Sequence, residues 1–340
     1  MTSLCKTPFV ALIMVGIFCA CAHAADKPFF VFATLEQGRE ILTARDDYIR
    51  QMSPFDRSCR MRTDAPVTEQ EFLQFVSNNV LSWEKDDEDL LRPVLAAVES
   101  KLKDFASFLP ENVYLVKTSG NEEGGAAYSR GGAIVFPRAM IRADTVTLYK
   151  LLSHELFHLI SRRNPQLRDE LYATIGFTRC PPFEFPKVLK DRRITNPDAP
   201  LNEHCIPVTV GRKKLLVVPI LYSNVETYQK AHSEEFFDYL QIAFLAVARD
   251  NGPGRKPTLL KGAKPHLYSE SELGGFFEQV GKNTDYTIHP EEILADNFSY
   301  LLFGIKELES PEIIDRMKKV FEKETPAAWS AGGQPDNEKK

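Results

Sequence analysis

The stretch "LLSHELFHLI", residues 151–160, places two histidines and a glutamate in an otherwise apolar run. Residues four apart on an α-helix lie on one face, one turn above the other. The spacing therefore predicts that the imidazoles of His154 and His158 can reach one metal ion. Glu155 lies one step round the helix, where it would reach a water on that ion rather than the ion itself.

The sequence around this motif is typical of a buried helix. From Asp144 to Arg163 the chain has no Gly or Pro, and leucines recur at helical spacing. Pro165 ends or interrupts the pattern. A buried His-Glu-His group without a metal would leave polar atoms unpaired, at a cost of about 1–3 kcal/mol each. This cost favours a metal site over a chance occurrence of the pattern.

A second motif lies far downstream, in "HPEEILADNFSYLL", residues 289–302. Pro290 at the first helical position predicts a helix that runs to about Lys306. Glu292 and Asp296 are spaced E-x-x-A-D and share one face of that helix. Catalytic zinc needs a third protein ligand, and the local positions of the metzincin pattern do not supply one, because they hold Ser161 and Asn164.

With these two motifs the chain resembles the gluzincins, the thermolysin-like and related zinc peptidases. The run "NTDYTIHPEEILADNF", residues 283–298, also looks like that of uncharacterised secreted bacterial proteins of this zincin type. The resemblance implies one zinc ion held by His154, His158 and Glu292. It also implies that Asp296 orients a ligand histidine by accepting its other N–H.

Two other glutamates compete for the place of third ligand. Glu291 precedes Glu292, but Ala295 stands where the aspartate of the motif should be. Glu170 lies twelve residues after His158 and also lacks an aspartate four residues later. Both rank below Glu292.

The resemblance further implies roles in catalysis. Glu155 would act as general base, and Tyr286 or His289 would donate a hydrogen bond to the oxyanion. The alternatives are that His289 caps the helix start and that Tyr286 packs in a strand. The stretch "AAYSRGGAIVFP", residues 126–137, is predicted as a strand with Gly131 and Gly132 at a bulge or close approach. It is either an open edge that holds a peptide substrate or an ordinary edge strand.

The predicted fold class is α+β and zincin-like. A small twisted sheet would pack on the H-E-x-x-H helix, and a mainly helical lobe would carry Glu292, with the site in the cleft between them. We expect a signal peptide at residues 1–24 and a single catalytic domain at 25–325. Residues 180–285 have the character of an insert whose role the sequence does not define, and residues 326–340 are predicted to be a disordered tail.

The first residues and the composition bear on location and partners. Lys6, the apolar run Pro8 to Ala20 and the A-H-A pattern ending at Ala24 predict a cleaved signal peptide, hence a secreted protein of the bacterial periplasm or exterior. An uncleaved membrane anchor is the alternative; with cleavage, no stable membrane association is expected. The 340-residue chain carries a net charge of −5, which excludes the basic footprint of a nucleic-acid-binding protein.

Export changes how the cysteines are interpreted. Cleavage leaves Cys59, Cys180 and Cys205, and in an oxidising compartment two of them can pair. Cys180 and Cys205 flank a Pro-rich segment, and a disulfide closing that loop would stabilise the fold by roughly 3–4 kcal/mol. The alternative is three free thiols. Since no C-x-x-C spacing exists, a cysteine zinc site is not expected.

The favoured function is a zinc metallopeptidase acting on protein or peptide substrates. Two alternatives stay open. One is a zinc-binding interaction module without catalysis, which would not need the base Glu155. The other is a metal hydrolase acting on another amide, such as a cell-wall peptide.

Overall fold

The structure, a computed structural model, describes residues 29–260 and 264–324. Helices and strands are mixed along the chain, and the strands form two sheets. The coarse fold class, a protein of mixed α and β structure, is therefore confirmed. The predicted signal peptide, residues 1–24, and the predicted tail, residues 326–340, lie outside the described residues. None of the described helices combines the length and apolar character that a membrane span requires.

Six of the described helices, α1, α2, α3, α4, α6 and α10, begin after a residue whose side chain caps the first turn. In chain order the α-helices are α1 (Leu35–Leu42), α2 (Asp47–Gln51), α3 (Pro54–Arg60), α4 (Glu69–Asn79), α5 (Lys85–Lys101), α6 (Thr145–Arg163), α7 (Pro165–Thr174), α8 (Lys187–Lys190), α9 (Phe277–Val280), α10 (Pro290–Phe303) and α11 (Pro311–Glu324). Asp144 caps α6 by accepting the N–H groups of Val146 and Thr147. The helix predicted to reach Lys306 stops earlier because Gly304 adopts a left-handed φ of 64°.

The first sheet contains five strands and precedes α6 in the chain. They are β1 (Phe30–Phe32), β2 (Val80–Leu81), β3 (Val113–Thr118), β4 (Tyr128–Arg130) and β5 (Ala133–Pro137), in the spatial order β1-β3-β5-β4 with β2 beside β3. β3 is parallel to β1 and β5, whereas β4 is antiparallel to β5 and forms the edge. The strand predicted over residues 126–137 is therefore a hairpin, with Gly131 at a φ of 57° in the turn.

The second sheet is antiparallel, and five of its six strands lie within residues 180–285. Its strands are β6 (Thr178–Arg179), β7 (His204–Val210), β8 (Lys213–Ser223), β9 (Leu240–Arg249), β10 (Thr258–Leu259) and β11 (Leu267–Tyr268). The spatial order is β10-β9-β8-β7-β6, and β11 pairs with β9. The sequence predicted this region as insert-like without a defined role; it forms a sheet of its own.

One hydrophobic core joins this second sheet to α6 and α10. It contains Leu156 and Phe157 of α6, Phe298 of α10 and, from the sheet, Val217 and Phe244, all at most 1% exposed. The rings of Phe157 and Phe298 lie 5.8 Å apart between centroids. Burying such a side chain contributes roughly 1.5–3 kcal/mol. The second sheet thus supports the two helices that carry the sequence motifs.

The three cysteines of the described chain are free thiols. Cys180 and Cys205, the predicted disulfide pair, are two of them, and their thiols lie in hydrogen-bond contact. Burial raises the pKa of Cys59 to about 12, so this thiol is poorly reactive. Pairing of Cys180 with Cys205 stays a prediction, and peptide mapping without reduction would test it.

Candidate metal centre

Helices α6 and α10 bring the two sequence motifs together. Their backbones are held in register by Ser153 and Ser299, whose hydroxyl oxygens lie 2.8 Å apart. The apolar faces of both helices pack into the common core, and the polar residues of the two motifs face one another. His154 and His158 of α6 consequently face Glu292 of α10.

The three ligand atoms lie within 4.8 Å of one another. Nε2 of His154 is 2.9 Å from Oε2 of Glu292, and Nε2 of His158 is 3.7 Å from the same oxygen. In a tetrahedral zinc site with bonds of about 2.0–2.1 Å, neighbouring ligand atoms are roughly 3.3 Å apart. Nε2 of His158 is also buried and has no hydrogen-bond partner among the described residues. The residues present therefore fit a metal ion.

Each histidine is oriented by its own carboxylate. Nδ1 of His154 is 3.0 Å from Oδ1 of Asp296, and Nδ1 of His158 is 2.9 Å from Oε1 of Glu291. A carboxylate accepts only, so each Nδ1 donates its proton to its carboxylate. Nε2 of His158 keeps its lone pair for a metal, whereas Nε2 of His154 makes a hydrogen bond to Oε2 of Glu292, which a bound metal would replace. Burial lowers the pKa of His154, but the hydrogen bonds to Asp296 and Glu292 raise it above its usual range overall.

Both orienting carboxylates are themselves held in place. Thr284 donates its hydroxyl to Oδ2 of Asp296 at 2.5 Å. Glu291 accepts hydrogen bonds from the hydroxyls of Ser161 and Tyr172. The sequence marks Glu291 only as a rival ligand and does not indicate this role. The adjacent glutamates were the available signal, since two ligand histidines need two partners.

Glu155 lies beside the ligand cluster in a cleft of about 340 Å³. Its residue exposure is 4%, and its Oε2 atom has no hydrogen-bond partner among the described residues. Burial, followed by the charge of Asp198, raises the pKa of Glu155 to about 8. A buried carboxyl group of this kind can both accept and release a proton near neutral pH.

Tyr286 and His289, the two predicted oxyanion donors, occupy different places. Tyr286 lines the cleft with Glu155 and His154, and its ring centroid is 6.3 Å from that of His154. His289 instead caps α10, where its Nδ1 accepts the N–H of Glu291 at 3.1 Å. It lines a separate cavity and is buried, which lowers its pKa to about 4. Its position does not support the oxyanion role and agrees with the capping alternative.

Glu170, the lower-ranked candidate for the third ligand, lies away from the cluster. It pairs with Lys323 at the surface, with Nζ to carboxylate distances of 2.7 and 2.9 Å. Its side chain is 40% exposed. The structure therefore brings Glu292 and not Glu170 to the histidines.

A loop between α8 and β7 completes the site, although the sequence did not predict its contribution. Asn196 donates its side-chain amide to Oε1 of Glu292 at 2.6 Å. Asp198 has a carboxylate oxygen within 4.8 Å of ligand atoms of Glu155 and His158. No motif marks these residues, because they lie in a Pro-rich stretch without periodicity.

A buried ionic group anchors this loop to α3. Arg60 donates its Nε to Oδ1 of Asp56 at 2.8 Å and its Nη2 to the carbonyl of Thr195 at 2.8 Å. Oδ2 of Asp56 accepts the N–H of Thr195 at 2.9 Å. Arg60 also contacts Glu123, and the side chains of Arg60 and Asp56 are at most 1% exposed. The anchored Thr195 directly precedes Asn196.

We expect Arg60→Ala to lower the free energy of unfolding by about 3–5 kcal/mol, because it leaves buried carboxylates without their cation. Urea denaturation measures this change. Arg50→Ala is the matched control: Arg50 pairs with Asp47 at the surface and is 58% exposed, so its loss should cost no more than about 1 kcal/mol. Equal effects of the two substitutions would contradict the anchoring role.

Comparison with known proteins does not identify the chain. No family model matches it, and neither the curated proteins nor the solved structures include a match. The functional argument therefore rests on the geometry of the site and on the two sequence motifs.

Proposed function

We propose that this protein is a zinc-dependent peptidase of the gluzincin type. One observation carries the proposal: two histidine Nε2 atoms and one glutamate oxygen converge, while an unpaired buried carboxylate, Glu155, lies beside them. Two imidazoles and one carboxylate are a ligand set of catalytic zinc sites, which leave the fourth position to water or substrate. The zincin-like arrangement of sheet, helix and helical lobe belongs to the same proposal.

The donor chemistry favours zinc over the hard cations. Imidazole nitrogen suits zinc and other transition metals, whereas Mg²⁺ and Ca²⁺ take mainly oxygen ligands. His154 and His158 supply two nitrogens on rings that carboxylates orient, and Asn196 orients Glu292 through its other oxygen. A preorganised set of this kind lowers the entropy lost when an ion binds.

Bound zinc would polarise the substrate carbonyl and lower the pKa of a water molecule towards 7. The residues of the chain have separate tasks in peptide hydrolysis. Glu155 accepts a proton from the attacking water at Oε2 and returns it to the nitrogen of the leaving amine. The phenol of Tyr286 lines the same cleft and can donate to the developing oxyanion.

The alternative of a non-catalytic zinc module is less well supported. A structural zinc site is closed by four protein ligands and has no use for a neighbouring base. Glu155 is nevertheless buried with one oxygen unpaired, which costs about 1–3 kcal/mol. Such a cost is typical of a functional site. Secretion to the periplasm or exterior remains part of the proposal on sequence grounds alone.

Metal analysis combined with a substrate screen tests the proposed function. We expect the purified protein to contain about one zinc per chain and to hydrolyse members of a peptide library, as followed by mass spectrometry. A chelator should abolish hydrolysis, and added zinc should restore it. Cell-wall peptides belong in the same screen. Tight zinc binding without hydrolysis of any amide would favour the interaction module instead.

A further inference from the structure

Strand β4 forms the edge of the first sheet. Other parts of the chain cover this edge at Ser129, which we call its closed end, whereas the end before Tyr128 borders the cleft, and we call it the open end. Ser129 in β4 donates its backbone N–H to Oδ1 of Asp198 at 2.7 Å, and its hydroxyl donates to the same oxygen at 2.6 Å. Arg162 approaches the carbonyl of Ser129 at 3.5 Å and donates to the carbonyl of Gly131 at 3.2 Å. The backbone N–H of Ser129 and the carbonyls of Ser129 and Gly131 therefore already have partners.

The open end faces the candidate metal centre. Ala126 and Ala127 line the cleft together with His154 and Glu155. Ala127 directly precedes β4, so the chain continues from the edge of the sheet into the cleft at this residue. An extended peptide can therefore add to this edge beside Ala127, but it must end where Asp198 closes the edge.

The negative charge of Asp198 at the closed end decides which terminus of a bound peptide can lie there. Asp198 is half-buried and lines the cleft, and only its Oδ1 takes hydrogen bonds from the described residues. The guanidinium of Arg162 is directed to Ser129 and Gly131, and its one contact with Asp198 is to the backbone carbonyl. A carboxylate here attracts an ammonium group and repels a carboxylate.

The direction of strand addition agrees with this charge. A peptide antiparallel to β4 places its amino end at the Ser129 end of the edge. A parallel peptide would instead bring its C-terminal carboxylate against Asp198. The buried, unpartnered Oε2 of Glu155 in the same cleft marks the place where the reacting bond would lie.

We propose that the site takes peptides with a free amino terminus and that Asp198 binds their α-ammonium group. The enzyme is then an aminopeptidase that removes residues from the amino end of its substrate. This inference rests on the proposed function and names its substrate class. Asp198 acts as a specificity-determining residue and takes no part in the proton transfer.

A binding experiment tests this inference without turnover. The zinc-loaded Glu155→Gln protein is titrated calorimetrically with two peptides of one sequence, one with a free and one with an acetylated amino terminus. We expect the free peptide to bind at least about tenfold more tightly, as for a hydrogen bond to a charged group. Asp198→Asn is then added to this background, since asparagine can still accept the hydrogen bonds from Ser129. This second substitution should lower the affinity for the free peptide to that for the acetylated one.

Asp191→Asn in the same background is the matched control, because Asp191 is a surface residue paired with Lys187, and it should leave the difference intact. Equal binding of the two peptides, or binding of neither, would overturn the ammonium site. So would tighter binding of both peptides by Asp198→Asn, since the aspartate would then obstruct the cleft. The zinc content of each sample is measured in parallel: a protein without zinc would overturn the proposed function as well.

Discussion

Glu155→Gln is expected to keep its zinc and to lose peptide hydrolysis by about 10²–10⁴-fold, the range typical of a general base. Glutamine preserves the size and packing of the side chain in this buried position but cannot accept the proton. The ligand atoms of His154, His158 and Glu292 are unchanged, so metal binding should be unaffected. The measurements are kcat/KM on a cleaved library peptide and zinc content by mass spectrometry.

Glu170→Gln provides the control for this prediction. It makes the same chemical change at an exposed glutamate that pairs with Lys323 away from the cluster. Both activity and zinc content should match the wild type. If Glu155→Gln retained full activity, another group would have to move the proton, and the assignment of Glu155 as base would be wrong.

The second large effect concerns the metal itself. His158→Ala should reduce the zinc content from about one per chain to near zero, because it removes a nitrogen ligand that the fold has already oriented. Glu292→Gln should weaken zinc binding less completely, since a neutral amide oxygen is a poorer zinc donor than a carboxylate. Equilibrium competition with a chromogenic chelator measures the affinities.

The orienting carboxylates provide a graded comparison in the same assay. Asp296→Asn and Glu291→Gln should each lower zinc affinity or activity by roughly 10–100-fold. The two effects should be of similar size, because each carboxylate serves one histidine at a similar distance. Wild-type affinity in His158→Ala, or a larger loss in Glu291→Gln than in His158→Ala, would contradict the ligand assignment.

Local sequence patterns were sufficient to predict the helices α6 and α10 and the site residues on them. Helical spacing placed His154 and His158 on one face, and Pro290 marked the start of α10. Glu292 and Asp296 were singled out because their spacing resembles the second motif of the gluzincins. All of these inferences concern residues at most a few positions apart, where backbone geometry is fixed by the helix itself.

The residues that sequence reasoning missed depend on long-range contacts. Asn196 and Asp198 enter the site because Arg60 and Asp56 hold the backbone of Thr195, and no local pattern encodes that contact. The hairpin of β4 and β5 was predicted as one strand, because Gly131 and Gly132 are compatible with either a bulge or a turn. His289 was offered as a donor to substrate, although its position before Pro290 equally fits a cap.

The anchoring of the loop at Arg60 has a consequence for how the protein matures. The contact between Arg60 and Thr195 spans 135 residues, and that between His154 and Asp296 spans 142. Contacts of such high sequence separation form late, since the entropy of closing long loops must be overcome first. During synthesis the histidines of α6 therefore emerge well before Glu292, and a nascent chain has no complete set of ligands. The candidate metal centre is therefore complete only after α10 has been made and has packed against α6.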